Sequence, residues 1–166
     1  MTIVGITGHR KLPDPTRWGW VSAELSRQVT RLSPPVTGVT SLAIGADQLF
    51  AETVLNVGGT IKVVIPFASY ADTFDGDDRV RFEHLHAISS ATEVLECAAS
   101  REKCYLAAGQ RVVDLSEFIV AVWDGQSSKG LGGTADIVRY AIQNNKPVIH
   151  INPIDKTVSG DFQRTR

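Results

Sequence analysis

The stretch Thr2-Ile3-Val4-Gly5-Ile6-Thr7-Gly8-His9-Arg10 decides how the rest of the chain is read. Its first six residues form an apolar, β-branched run without the polar alternation of a half-exposed strand, the pattern of a strand buried on both faces of a parallel sheet. Gly8 then permits a tight turn and close approach of a ligand to the backbone, and Arg10 offers a planar fork of donors suited to phosphate. A buried strand that stops at a glycine and a cation points to a sheet whose strand ends face a ligand.

Outward from this stretch, runs of the same character cover residues 3–7, 38–44, 61–66, 92–96, 118–123 and 147–151. Between them, residues 16–32, 46–56, 78–89, 101–114 and 134–144 repeat apolar positions three or four apart, as helices lying on a sheet do. The alternation predicts the α/β class: a Rossmann-like three-layer α/β/α sandwich with a mostly parallel sheet of five or six strands. Pro34-Pro35 and Gly58-Gly59 punctuate returns from helix to strand, and residues 67–77 are expected to be a polar, flexible loop crossing the ligand edge. Residues 1–153 are expected to form the domain. Residues 154–166 turn polar and are expected to be a tail or a partner-docking segment.

The 166 residues, 43% hydrophobic and 21% charged, suit one self-sufficient globular domain. Seventeen basic and 18 acidic residues leave a net charge of -1, so no global positive field favours nucleic acid or an anionic membrane as the main partner. The N-terminal run lacks the flanks of a signal peptide, and no stretch approaches the length of a membrane span, so the cytoplasm is the expected location. Cys97 and Cys104 match neither a zinc spacing nor a thioredoxin motif and are expected to be buried or partly buried thiols.

In an open parallel sheet, ligands sit outside the carboxyl ends of the strands. Three junctions there are rich in suitable residues: Thr7-Gly8-His9-Arg10, Ile44-Gly45-Ala46-Asp47 and Gly130-Leu131-Gly132-Gly133-Thr134. The first supplies turn and cation. Asp47 in the second is suited to accept from ribose hydroxyls or a base, and the glycines of the third lead into a helix whose free N–H groups favour an anion. Taken singly, each has a plainer reading, with Gly8 and Gly45 as turns and Asp47 and Thr134 as helix caps. Their joint position after predicted parallel strands makes them candidates together. The run Trp123-Asp124-Gly125-Gln126-Ser127-Ser128, after the fifth predicted strand, should wall the same edge, with Trp123 either stacking on a base or packed in the core. Asp136 is placed for a sugar, yet a carboxylate early in a helix is stabilised there regardless of function. Arg79 and Arg81 head a helix with Glu83, His84 and His86; they are candidate phosphate donors, and positions two apart do not share a helix face, so no metal is expected. Arg111 and Asp114 are expected either to pair on the surface or to serve the site. The glycines fit neither a P-loop nor G-x-G-x-x-G, and no G-x-S-x-G elbow is present.

Gly5-Ile6-Thr7-Gly8-His9-Arg10, Ser41-Leu42-Ala43-Ile44-Gly45-Ala46-Asp47-Gln48-Leu49-Phe50-Ala51-Glu52 and Gly132-Gly133-Thr134-Ala135-Asp136 together resemble the SMF/LOG (SLOG) superfamily of Rossmann-like domains over residues 1–153. The middle stretch, continuing to Val64, is similar to the core of DNA-processing protein A. The resemblance implies a nucleotide or nucleotide-derived phosphate as ligand, with no cofactor, and makes a homodimer plausible because related domains commonly dimerise. The superfamily's phosphoribohydrolases carry P-G-G-x-G-T-x-x-E, whose glutamate works at the glycosidic carbon; here Ile137 takes that place and the proline is absent. Deoxyribosyltransferases, which share a D-G…G-T-x-x-E plan, fail at the same residue.

The leading expectation is therefore binding or sensing of a nucleotide-type small molecule. Phosphate would rest on the backbone at Gly8 and Gly132-Gly133, with Arg10 and one of Arg79 or Arg81 neutralising charge, and Asp47 and Asp136 reading ribose hydroxyls. The alternative is an N-glycosidic hydrolase of a nucleoside monophosphate or a deoxyribosyltransferase-like enzyme, with Asp136 or Asp47 as the catalytic carboxylate. Single-strand DNA binding is the third reading, disfavoured by near-neutral charge and 7% aromatic content.

Overall fold

The structure, a computed structural model, describes residues 1–128 and 130–160. In chain order it runs β1 (Thr2–Gly8), a 3-10 turn (Pro15–Arg17), α1 (Trp18–Thr30), β2 (Val36–Thr40), α2 (Ala46–Asn56) and β3 (Thr60–Ile65). A second 3-10 turn (Tyr70–Thr73) leads into α3 (Gly76–Ala87), β4 (Ala91–Val94), α4 (Arg101–Leu115), β5 (Phe118–Val122), α5 (Thr134–Gln143), β6 (Val148–Asn152) and β7 (Thr157–Ser159). The sheet order is β4-β3-β2-β1-β5-β6-β7, parallel throughout except for the antiparallel β6–β7 pair. The Rossmann-like sandwich with its mostly parallel sheet is thus present.

Period-two alternation within the central strands feeds two separate cores. Val4, Ile6, Ile61, Val63, Val120 and Val122 face α1, α2 and α3, where Val21, Leu25, Phe50, Val54 and Phe82 meet them. Val39, Val64 and Ile119 face the other way onto Ala108, Val112, Ile137 and Ala141 of α4 and α5. Gly5 allows that second layer to close, since a Cβ there would lie 2.9 Å from Val112 and 2.5 Å from Ser116. Burial on both faces is why these strands read as unbroken apolar runs.

From β1 the chain winds outward through β2, β3 and β4 along one half of the sheet, then returns through α4 to place β5 on the opposite side of β1. The strand order therefore reverses between β1 and β5, which opens a crevice beyond their carboxyl ends. Gly8-His9-Arg10 leaves β1 there, and Trp123-Asp124 leaves β5 there.

Several expectations need correcting. Apolar Leu42, Ala43 and Ile44 read as strand, but β2 stops at Thr40. The Thr40 hydroxyl accepts from Leu42 N–H at 2.9 Å and the Asp47 carboxylate accepts from Ser41 N–H at 3.2 Å, bonds that divert the backbone from the ladder and put Leu42 at φ 55°. Residues 67–77 do not form a merely polar loop. Tyr70 and Phe74 are buried in an aromatic cluster with Phe82, the rings of Phe74 and Phe82 stacking at 4.5 Å. Within the segment expected to be a tail, Thr157–Ser159 pairs with His150–Asn152; residues 161–166 lie outside the described residues. Cys97 and Cys104 are not thiols but a disulfide, because the Ser100 cap of α4 turns the chain and brings the two Cα atoms to 5.8 Å. Arg111 pairs with Glu93 of β4 at 2.9 Å, while Asp114 accepts from the Tyr140 hydroxyl at 2.8 Å. No helix among the described residues is long and apolar enough to cross a membrane.

Candidate cleft at the strand-order switch

A cleft of about 660 Å³ occupies the crevice and gathers residues from all three glycine junctions. On the β1 side, His9 N–H donates to Val122 O at 3.0 Å, tying the turn to the end of β5. Asp124 N–H donates to His9 Nε2 at 2.9 Å. Asp124 Oδ1, 3.4 Å from the same nitrogen, instead accepts from Gln126 N–H at 2.9 Å and shapes the β5 exit. The switch point is thereby latched across β1 and β5.

Gly45 and Ala46 do not line the cleft; they hold its rim. Ala46 N–H donates to His9 O at 3.1 Å, and Gly45, at φ 84°, lies so close to the His9 and Arg10 carbonyls that a Cβ would meet them at 2.6 and 2.5 Å. Gly8 permits the matching approach, since a Cβ there would sit 2.5 Å from Ala46 Cβ.

Asp47, from the first turn of α2, is buried at the floor. Burial pushes its carboxyl up to about 7, against the opposing pull of the Ala43 and Ser41 backbone N–H groups, the Thr40 hydroxyl at 3.3 Å and the Arg10 charge. Tyr70 faces the same floor, its hydroxyl pushed far up by burial and by the proximity of Asp47. Arg10 and Lys11 line the β1 side and make no ion pair or hydrogen bond among the described residues. In contrast, Arg79 pairs with Glu83 and Asp72, and Arg81 with both oxygens of Glu52, all outside the cleft. Sequence reasoning placed these two at the ligand edge because they begin a helix, but α3 turns them onto neighbouring carboxylates.

The opposite wall is the start of α5. Gly132, at φ 82°, donates its N–H to Asp136 Oδ2 at 3.0 Å, and Arg139 lies 3.6 Å from Oδ1. Asp136 therefore organises the glycine turn and is not among the residues facing the cleft, a correction to its expected role at a sugar. The N–H groups of Gly133, Thr134 and Ala135 have no acceptor among the described residues, as the first turn of a helix requires. Ser128 Oγ, packed where a Gly133 Cβ would fall, is buried and likewise without a partner among them. Trp123 lines the mouth, with Nε1 donating to Gln126 O at 2.8 Å and its ring 5.0 Å from that of His150. Ile137, where a phosphoribohydrolase would carry glutamate, is buried against Gly109 of α4 and contributes an apolar surface beside Tyr105, Ala108 and Val112.

Sequence reasoning missed Tyr70, Tyr105 and Lys11, whereas Ser128 belongs to the run expected to wall this edge. The spacing of Phe67, Tyr70 and Phe74, three and then four residues, was the available signal that residues 67–77 are anchored. Tyr105 carries none, because only tertiary packing turns that face of α4 into the crevice.

No protein-family model and no curated protein matches the chain in sequence. Among solved structures, it is similar to DNA-processing protein A from Streptococcus pneumoniae, with TM-score 0.66 and 16% identity over 91% of this chain and 50% of that one. It is also similar to DNA-processing protein A from Helicobacter pylori, described for its single-stranded DNA binding, with TM-score 0.63 and 18% identity over 91% of this chain and 65% of that one. The molybdenum cofactor carrier protein from Chlamydomonas reinhardtii gives TM-score 0.54 and 18% identity, over 90% and 75%. The chain thus spans half of the first of these proteins and 65% of the second. The likeness is one of architecture: this chain shares the Rossmann-like fold of these proteins.

Proposed function

We propose that the chain binds a phosphorylated, nucleotide-type small molecule in the switch-point cleft. The observation that carries this reading is the pairing of an uncommitted cation with uncommitted donors. Arg10 makes no ion pair or hydrogen bond among the described residues, and the N–H groups of Gly133 and Thr134 have no acceptor there either, while both sets line one cleft. A helix start with free N–H groups favours an anion, and a guanidinium completes the charge balance. The apolar surface of Tyr105, Ala108, Val112 and Ile137 suits a base. Arg79, Arg81, Arg111 and Arg139 are held in ion pairs and Arg101 lies over the Phe67 ring, which supports a small ligand over a nucleic acid strand.

The test is a thermal-shift screen of nucleoside monophosphates, cyclic nucleotides and ADP-ribose derivatives, followed by chromatography of each mixture. A native-state ligand at 100 times its Kd adds about 2.7 kcal/mol of stability. Arg10→Ala should keep the fold and weaken binding by roughly tenfold or more, as loss of a charge-assisted hydrogen bond does. Normal binding by that variant would overturn the phosphate assignment. Glycosidic cleavage remains the second reading because Asp47 is a cleft carboxyl that exchanges its proton near neutrality; release of free base in the chromatogram would establish it, and intact ligand would dismiss it.

A further inference from the structure

The floor of the cleft joins a buried acid to the cation expected to meet the ligand. Asp47 has no ion-pair partner among the described residues; its carboxylate is held by Ser41 N–H at 3.2 Å and the Thr40 hydroxyl at 3.3 Å on the β2 side. From the β1 turn the Arg10 charge acts on it. From the segment after β3, Tyr70 faces it, with Tyr105 of α4 behind at a ring separation of 6.3 Å. The Tyr70 hydroxyl, pushed far up by burial, carries no charge near pH 7. Among the described residues Arg10 is thus the charge favouring ionised Asp47, and it is the same charge that the proposed ligand would engage.

We propose that this cleft is a proton-coupled anion site, in which an anionic ligand enters together with one proton taken from solvent onto the Asp47 carboxyl. The inference rests on the anion-binding reading above and deepens it. Two effects act with one sign. A ligand filling the cleft removes water from a carboxyl already short of solvation, and its anion neutralises the Arg10 field; each favours the protonated acid. Burial has already brought that acid to half-ionisation at about pH 7, so the uptake falls in the neutral range. Affinity for an anion should then decline as pH rises above 7, by up to about tenfold per pH unit, until the liganded acid also ionises.

The experiment is titration calorimetry of the full chain with inorganic sulfate, whose charge is constant over this range, and in parallel with adenosine 5′-monophosphate. Each is run near pH 7.5 in two buffers of different ionisation enthalpy. The expected result is a buffer-dependent heat equivalent to a large fraction of one proton taken up per anion, and a fall in sulfate affinity between pH 7 and 9 that Asp47→Asn abolishes. If that variant does not fold, carbon NMR of the Asp47 carboxyl in the wild-type chain replaces it, with the titration midpoint moving up on addition of sulfate. Binding of both anions with no buffer dependence, or an unmoved Asp47 midpoint, would overturn proton coupling and leave the anion site standing. No binding of either anion at any pH would overturn both.

Discussion

Asp47 and Asp136 occupy nearly the same local setting and end in different roles. Each lies in the first turn of a helix that starts from a glycine, Gly45 for α2 and Gly133 for α5, and each reaches back to the loop before its helix. Asp136 engages both oxygens, one with Gly132 N–H and the other with Arg139. Asp47 accepts from Ser41 and Thr40 but is buried with no ion pair among the described residues, at the floor of a cleft. A carboxylate at a helix start is favoured by the free N–H groups whatever else it does. The difference lies in what remains unsatisfied after the turn is built: nothing at Asp136, a desolvated charge at Asp47.

The sharpest way to break the comparison is through the glycines that frame the two aspartates. Gly45→Ala would put a Cβ onto two backbone carbonyls at a positive φ, where nothing can give way without moving the His9-Arg10 turn. The expected loss is on the order of 4 kcal/mol, seen in urea denaturation. Gly133→Ala has a negative φ and meets only the Ser128 side chain, so it should cost about 1 kcal/mol. Equal losses at the two sites would show that the α2 start is not under the constraint argued above.

The next effect is electrostatic and belongs to Asp47 alone. Its folded value of about 7 lies above the ordinary 3.8, so the native state holds the proton more tightly than the unfolded chain. The associated stability is fully present below about pH 4 and is lost as pH rises through 7, by roughly 4 kcal/mol in all. Asp47→Asn should lack this decline. Denaturation across pH 4 to 8 would therefore show the difference between wild type and variant changing in the variant's favour, and a pH-independent difference would sink the assignment.

How much of this was readable in advance depended on whether the signal was local. The sheet was legible because Ile6, Val63 and Val120 are buried by the strand pattern itself, and the three glycine junctions were legible because turns constrain their own residues. The end of β2 was not, since Leu42 and Ala43 are apolar and only side-chain bonds from Thr40 and Asp47 stop the ladder. β7 was missed because Thr157-Val158-Ser159 is three exposed residues whose pairing is supplied by β6. Of the residues singled out, Gly8, Arg10, Gly133 and Asp47 line one cleft, whereas Arg79 and Arg81 lie outside it and Tyr70 was overlooked. Those depend on which carboxylates and aromatic rings other helices bring near, and such partners lie far away in sequence.

Asp136 supplies the contrasting, smaller case. Asp136→Ala would free Gly132 N–H and loosen the turn that presents the Gly133 and Thr134 donors, at a cost of about 1 kcal/mol. Because the donors remain, ligand affinity should fall by only a few fold in a calorimetric titration, far less than for Arg10→Ala. A loss as large as that of Arg10→Ala would make Asp136 a ligand contact after all.

The smallest effect isolates the ion pair within that arrangement. Arg139 is largely exposed and meets Asp136 Oδ1 at 3.6 Å across one helical turn, a geometry in which solvent screening removes most of the attraction. The glycine turn depends on the other oxygen, Oδ2, through a hydrogen bond that Arg139 does not touch. Arg139→Ala should therefore change stability by less than about 0.5 kcal/mol and leave ligand affinity intact. If instead the variant matched Asp136→Ala in both measurements, Arg139 would be what holds the aspartate in place, and the two carboxylates would differ by their cations, with Arg139 serving the turn as Arg10 serves the cleft.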